Sequence, residues 1–118
     1  MDFVSTVSYG DAYPARMECQ NGMSLDYSPP VEFGGVKGPM TPEDAFVGSA
    51  NMCFQIVFRS VAQGLGMSLL DYRCKAVADL QTVDGFRKFV RINLYPEMRL
   101  SEGARTENLQ KAIDATKK

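Results

Sequence analysis

The run Thr41-Pro-Glu-Asp-Ala-Phe-Val-Gly-Ser-Ala-Asn-Met-Cys53-Phe-Gln-Ile-Val-Phe58 decides the fold. Thr41 suits a helix N-cap, Pro42 suits the first helical position, and Glu43 and Asp44 place two acids where the helix dipole favours them. The spacing predicts a helix from here to about Gln63, with Gly64-Leu65-Gly66 as its stop. Ala45, Phe46, Val47, Ala50, Met52, Phe54, Ile56, Val57, Phe58 and Val61 cover nearly its whole circumference, which predicts a central, buried helix. Between Ala50 and Phe58 only Asn51 and Gln55 interrupt the apolar run that surrounds Cys53.

Outward from this helix the punctuation is clear. Residues 29 to 40 are too rich in Gly and Pro for a periodic element and read as a loop, with Gly34-Gly35 lacking phosphate-loop spacing. Before it, residues 3 to 28 read as strands, with Asn21-Gly22 as a two-residue hairpin turn between residues 15–20 and 23–27. After the helix, Tyr72 to Val83 and Phe86 to Tyr95 form a second hairpin about Asp84-Gly85. Strict alternation puts Val77, Val90, Ile92 and Leu94 on one face and Cys74, Ala76, Ala78, Leu80, Phe89 and Tyr95 on the other. A sheet apolar on both faces needs a helix on one side and a second subunit on the other. Ser101 to Lys118 reads as a polar helix with a narrow stripe of Leu109, Ala112, Ile113 and Thr116. The expectation is an α+β fold in a single domain spanning residues 1–118.

Composition excludes several classes. A net charge of −1 with no basic patch argues against nucleic acid as a partner. The N-terminus has no signal-peptide pattern, and no segment shows the ~20 consecutive apolar residues of a membrane span, so the expected compartment is the cytoplasm. Three widely spaced cysteines, Cys19, Cys53 and Cys74, form neither a disulfide framework nor a zinc motif, and the absence of histidine removes imidazole metal sites. No metal and no cofactor is expected.

Taken together, the strand meander, the Gly-rich loop, Thr41-Pro42-Glu43-Asp44 opening an apolar helix, Cys53 ten residues after Glu43, and the hairpin with a second helix resemble the OsmC/Ohr family of thiol-dependent peroxide-reducing proteins. The pattern from Gly34 to Phe54 carries the resemblance most specifically. It implies an intertwined α+β homodimer that reduces organic hydroperoxides with a peroxidatic cysteine, an arginine, a glutamate that holds the arginine, and a resolving cysteine. Carried over residue by residue, Cys53 becomes the peroxidatic thiol and Glu43 the arginine-orienting carboxylate, with a dithiol or lipoyl group as reductant. The resolving cysteine would fall within a few residues of Lys118. Either the sequence is truncated just before it, or the protein works without the two-cysteine cycle, as a catalytically incomplete dimer with a binding or structural role.

Elementary chemistry constrains that assignment. Attack on a peroxide needs a thiolate, and an ordinary thiol titrates near ~8.5. Cys53 lies ~18 Å into its helix, beyond reach of the dipole, so an Arg or Lys must supply the activating charge. Glu43 and Cys53 are separated by ~15 Å of rise and an offset of about 80°, so a shared site needs a bridging arginine, with Glu43 taken from the partner subunit. Arg16 is the first choice for that cation: counted from a two-residue turn, it shares the inward face with Met23, Leu25 and Tyr27. The alternative is a solvated face on which Arg16 pairs with Glu18 or Asp26. The loop before the helix offers only Lys37. Phe46, Met52 and Phe54 are the expected pocket lining, while Cys74 reads as core and Cys19 as incidental.

Overall fold

In this computed structural model the described residues are 1–101 together with positions 110, 111, 113, 114 and 116. The protein is α+β with antiparallel sheets, and it divides into two compact units, Met1–Phe46 and Val47–Lys118.

The first unit holds β1 (Ser5–Ser8), β2 (Ala15–Cys19) and β3 (Ser24–Tyr27) in the order β1-β2-β3. The β2–β3 connection differs from the two-residue turn expected at Asn21-Gly22. The Cys19 amide donates to the Met23 carbonyl at 2.7 Å, and Asn21 uses its side-chain Oδ1 to accept from the Met23 amide at 3.1 Å. The loop therefore has three residues, with Gly22 at φ 94°, the arrangement of a turn closed by a glycine bulge. One extra loop residue moves the register by one: Met17 faces Leu25 and Arg16 faces Asp26. Ala15, Met17, Leu25 and Tyr27 form the covered face, and Arg16 lies on the solvated one, not the inward one.

Between β3 and the helix, a 3-10 turn (Val31–Phe33) ends at Gly34, whose φ of 89° is a left-handed conformation. Ser28 is fully buried beneath this turn; its Oγ donates to the Pro29 carbonyl and accepts from the Val36 amide, each at 2.8 Å. Gly35 passes so close to this knot that a Cβ there would overlap the Pro29 carbonyl. Tyr27 then bridges to Met40, which delivers the chain to the helix.

Helix α1 spans Pro42–Gly64. Its start is as expected: Thr41 Oγ1 accepts from the Asp44 amide at 3.1 Å and donates to Asp44 Oδ2 at 2.9 Å, a reciprocal cap. Its end is a left-handed cap at Gly66, φ 79°, with the Met67 amide donating to the Ala62 carbonyl at 2.9 Å. The helix is not buried all round. Phe58 and Ala62 are fully covered, while Met52 and Ile56 are 62% and 61% exposed and Phe46 and Val57 are exposed as well. A chain of 118 residues has too little surface to wrap a 23-residue apolar helix alone. By length and composition α1 also suffices to cross a membrane, contrary to the expectation that no segment does, although one side of it is packed into a protein core.

The second unit pairs β4 (Leu69–Val83) with β5 (Phe86–Leu100). Asp84 at φ 53° and Gly85 at φ 81° make the expected tight turn. Beyond it the register shifts between Asp79 and Leu80: Leu80 faces Phe89 but Asp79 faces Arg91, so Val90 is the additional residue of a bulge. Ala76 consequently faces Leu94, and Ala78 faces Ile92, on one apolar face. The other face pairs Asp71 with Arg99, Arg73 with Glu97 and Asp79 with Arg91, the last joined by an ion pair of 3.3 Å. The hairpin is thus apolar on one face only, and the cover expected over its second face is not required. What lacks cover is α1.

Phe58, Ala62 and Met67 form the core, against which Phe54, Val61, Leu69, Tyr72, Met98, Leu100 and Ile113 pack. The Tyr72 hydroxyl is buried there without a hydrogen-bond partner among the described residues. Burial, and then the neighbouring Cys74 thiol, push its ionisation well above the ordinary value. The thiol is too weak an acceptor to replace a full hydrogen bond. Because the native state keeps this proton where the unfolded chain loses it, stability falls as pH rises through about 10. Tyr72→Phe will remove that alkaline slope and, by deleting an unsatisfied hydroxyl, leave stability at pH 7 unchanged or raised by up to ~1 kcal/mol; urea unfolding at pH 7 and above pH 10 measures both. The described positions 110, 111, 113, 114 and 116 are helical, whereas Leu109 and Ala112 of the expected stripe lie outside the described residues.

Candidate functional site

Cys53 is exposed. Residues 50, 53, 54 and 57 share one flank of α1 by helical spacing, and with β5 and the last segment they bound an open cleft of about 940 Å³. Ala50, Phe54 and Val57 line it from the helix, Ile92, Leu94 and Pro96 from β5, and Ile113 and Thr116 from the last segment. The thiol therefore sits on the wall of a recess more apolar than polar, which Asn93 and Tyr95 of β5 also line, wide enough for a small organic molecule. Of the aromatic and Met lining expected, Phe54 is present; Phe46 and Met52 are exposed and do not line this cleft. Ile92 and Leu94 escaped the sequence reading because strict alternation sends them to the opposite face, and no residue type near Val90 announces a bulge.

Behind the thiol, α1 is tied to the hairpin. Asn51 Nδ2 donates to the main-chain carbonyl of Cys74 at 3.1 Å. Cys74 is half-buried on the apolar hairpin face, outside the core cluster of Phe58, Ala62 and Met67, and its Sγ donates weakly to the Lys75 carbonyl at 3.7 Å. Cys19 is half-buried in the first unit, so neither other cysteine shares the Cys53 cleft.

Glu43 and Arg16 belong to the first unit and Cys53 to the second. Glu43 stands in the first turn of α1, and its Oε2 is buried with no hydrogen-bond partner among the described residues. A carboxylate oxygen withdrawn from water and left unpaired is costly, so this position calls for a donor. Arg16 instead engages its own strand and the next: Nε lies 3.3 Å from Glu18 Oε1, and Nη2 donates to Ser24 Oγ at 2.9 Å. This is the solvated pairing with Glu18. Both members are more than half exposed, and such a pair contributes less than ~1 kcal/mol, so it holds the guanidinium weakly. Among the described residues no group of three or more His, Cys, Asp or Glu side chains is placed to hold a metal ion.

Residues 35–118 match the family model described as OsmC-like protein. Solved structures share the fold. An OsmC-like protein of unknown function from Vibrio cholerae O1 biovar eltor str. N16961 superposes with a TM-score of 0.87 at 19% identity, covering 98% of this chain and 87% of that one. An organic hydroperoxide resistance protein OsmC from Legionella pneumophila gives 0.78 at 21% identity, with 98% and 82% covered. The organic hydroperoxide resistance protein OhrB of Bacillus subtilis gives 0.72 at 18% identity, with 98% and 83% covered. No curated protein matches the chain.

Proposed function

The chain belongs to the OsmC-like protein family, and from that premise we propose that it is a thiol-dependent, peroxidase-like redox protein that reduces organic hydroperoxides through Cys53. The observation that carries this reading is the exposed Cys53 thiol on the wall of the 940 Å³ cleft. Two of the solved structures it resembles are named organic hydroperoxide resistance proteins. In the proposed reaction the Cys53 thiolate attacks the distal peroxide oxygen, the O–O bond breaks, and the alkoxide leaves to be protonated to the alcohol. The thiolate becomes a sulfenic acid. A dithiol or lipoyl group then condenses with it, releasing water, and its second thiol regenerates Cys53 as the reductant closes to a disulfide. An external reductant suits a cleft in which Cys53 is the sole cysteine among the described lining.

The activating charge is proposed to come from an arginine, with Arg16 the first candidate, held by Glu43 of the partner subunit; it would also stabilise the leaving alkoxide. The orphaned Glu43 oxygen and the weak hold on Arg16 favour such an exchange. The uncovered apolar side of α1 favours a homodimer; that each chain acts as one domain, in the cytoplasm, is part of the same proposal.

Incubation with stoichiometric cumene hydroperoxide in the absence of thiols, followed by intact-mass and peptide analysis, tests the reading. One added oxygen at Cys53 is expected. An unmodified Cys53 would sink the peroxidase and leave an OsmC-like dimer that binds without turnover.

A further inference from the structure

Asn51 interrupts the apolar run of α1 two residues before Cys53, and the proposed chemistry gives it no part. We propose that Asn51 is a positioning residue for Cys53, holding α1 in one rotational setting against the hairpin through its bond to the Cys74 carbonyl; this rests on the reading of Cys53 as the reactive thiol. Two observations carry it. First, Nδ2 reaches that carbonyl at 3.1 Å from a half-buried position. Second, counted back along β4 from the tight turn at Asp84-Gly85, Cys74 and Pro96 form a non-hydrogen-bonded pair, so the Cys74 carbonyl points away from β5. The two-stranded hairpin makes no use of that carbonyl, and the helix supplies its donor.

The remaining contacts of this interface do not set rotation. Phe54, Phe58, Val61 and Ala62 meet Tyr72, Met98 and Leu100 through apolar surface, which is non-directional and tolerates sliding. The ring pairs are loose, with Phe54–Phe58 centroids 6.1 Å apart and Phe58–Tyr72 centroids 6.3 Å apart. A hydrogen bond from a short side chain to a fixed main-chain oxygen is directional, and one polar group in an apolar interface commonly specifies its register. Cys53 lies on the flank rather than on the packed face, so a small roll of α1 carries its sulfur away from Ile92 and Leu94. Misplacement by about 1 Å is enough to slow an oriented reaction up to ~100-fold.

The test compares two reagents at Cys53 in the full chain. N-phenylmaleimide must enter the apolar cleft beside the sulfur, whereas iodoacetamide needs only an exposed thiol; peptide mass spectrometry gives both rates, with Cys19 as internal reference. The ratio of the two rates at Cys53 is expected to fall about tenfold in Asn51→Ala and in the isosteric Asn51→Asp, which lacks the donor. General loosening would raise both rates together and leave the ratio unchanged. Cys74→Ala retains the main-chain acceptor and should keep the wild-type ratio. A wild-type ratio in both Asn51 variants overturns the proposal. Failure of the wild-type protein to form a sulfenic acid with cumene hydroperoxide would count against the peroxidase alone, since the maleimide ratio needs no peroxide chemistry.

Discussion

Gly35→Ala will destabilise the protein by ~3 kcal/mol or more, the upper end of what overpacking costs. The added methyl would overlap the Pro29 carbonyl and lie 2.5 Å from Ser28 Oγ. Neither neighbour can retreat. The Pro29 carbonyl accepts from Ser28 Oγ, and the same Oγ accepts from the Val36 amide, so moving either breaks a knot whose hydroxyl is fully buried. The Gly35 amide is itself committed to the Pro30 carbonyl at 3.0 Å. Gly48→Ala is the control: a Cβ there meets nothing within 4 Å, and in the interior of α1 the change should stabilise by about 0.5–1 kcal/mol. Urea unfolding midpoints of the two variants should move in opposite directions. A Gly35→Ala midpoint within ~1 kcal/mol of wild type would mean that the turn has another way to pass beneath Ser28.

Cys53→Ser will reduce turnover of cumene hydroperoxide with dithiothreitol or dihydrolipoamide by at least ~1,000-fold, the scale on which removal of a nucleophile acts. A serine hydroxyl is not ionised near neutral pH and forms no sulfenic acid, so the O–O bond meets no competent nucleophile. Because Cys53 is exposed, the fold should hardly notice: stability within about 0.5 kcal/mol is expected. Loss of rate with an unchanged unfolding midpoint therefore isolates chemistry from structure. If Cys53→Ser retains most of the rate, the reacting thiol is Cys19 or Cys74 and the cleft is not the site.

Both ends of α1 were readable because each depends on neighbours in sequence: Thr41 caps Asp44, and Gly66 turns the chain so that Met67 closes on Ala62. Asp84-Gly85 was readable for the same reason, since positive φ at two adjacent positions leaves few residues to choose from. The faces of both hairpins were misread, each by one residue. In the first, Asn21 answers the Met23 amide with its side chain and lengthens the loop, so Arg16 turns to solvent. In the second, Val90 is a β-former that fits a regular strand as well as a bulge, and composition does not separate the two. The position of Cys53 on α1 was legible from its spacing to Glu43, while its exposure was not. An apolar circumference says that a helix wants cover, and it is silent on whether the same chain supplies it.

Val90 acts on β5 as a dislocation acts on a crystal row. One surplus unit shifts the phase of everything beyond it, so that Ile92, Leu94, Pro96 and Met98 point inward where uninterrupted alternation would point them out. Length change along this strand is therefore not a graded perturbation. Losing Val90 itself would leave Phe89 opposite Leu80 and Arg91 opposite Asp79 and keep every face, whereas losing Asn93 would exchange inside for outside over the rest of β5, presenting Tyr95, Glu97 and Arg99 to the core. A single-residue gap is therefore absorbed at Val90 and nowhere between Ile92 and Met98, so the bulge is the one place in this stretch of β5 where its length can change without turning the strand over.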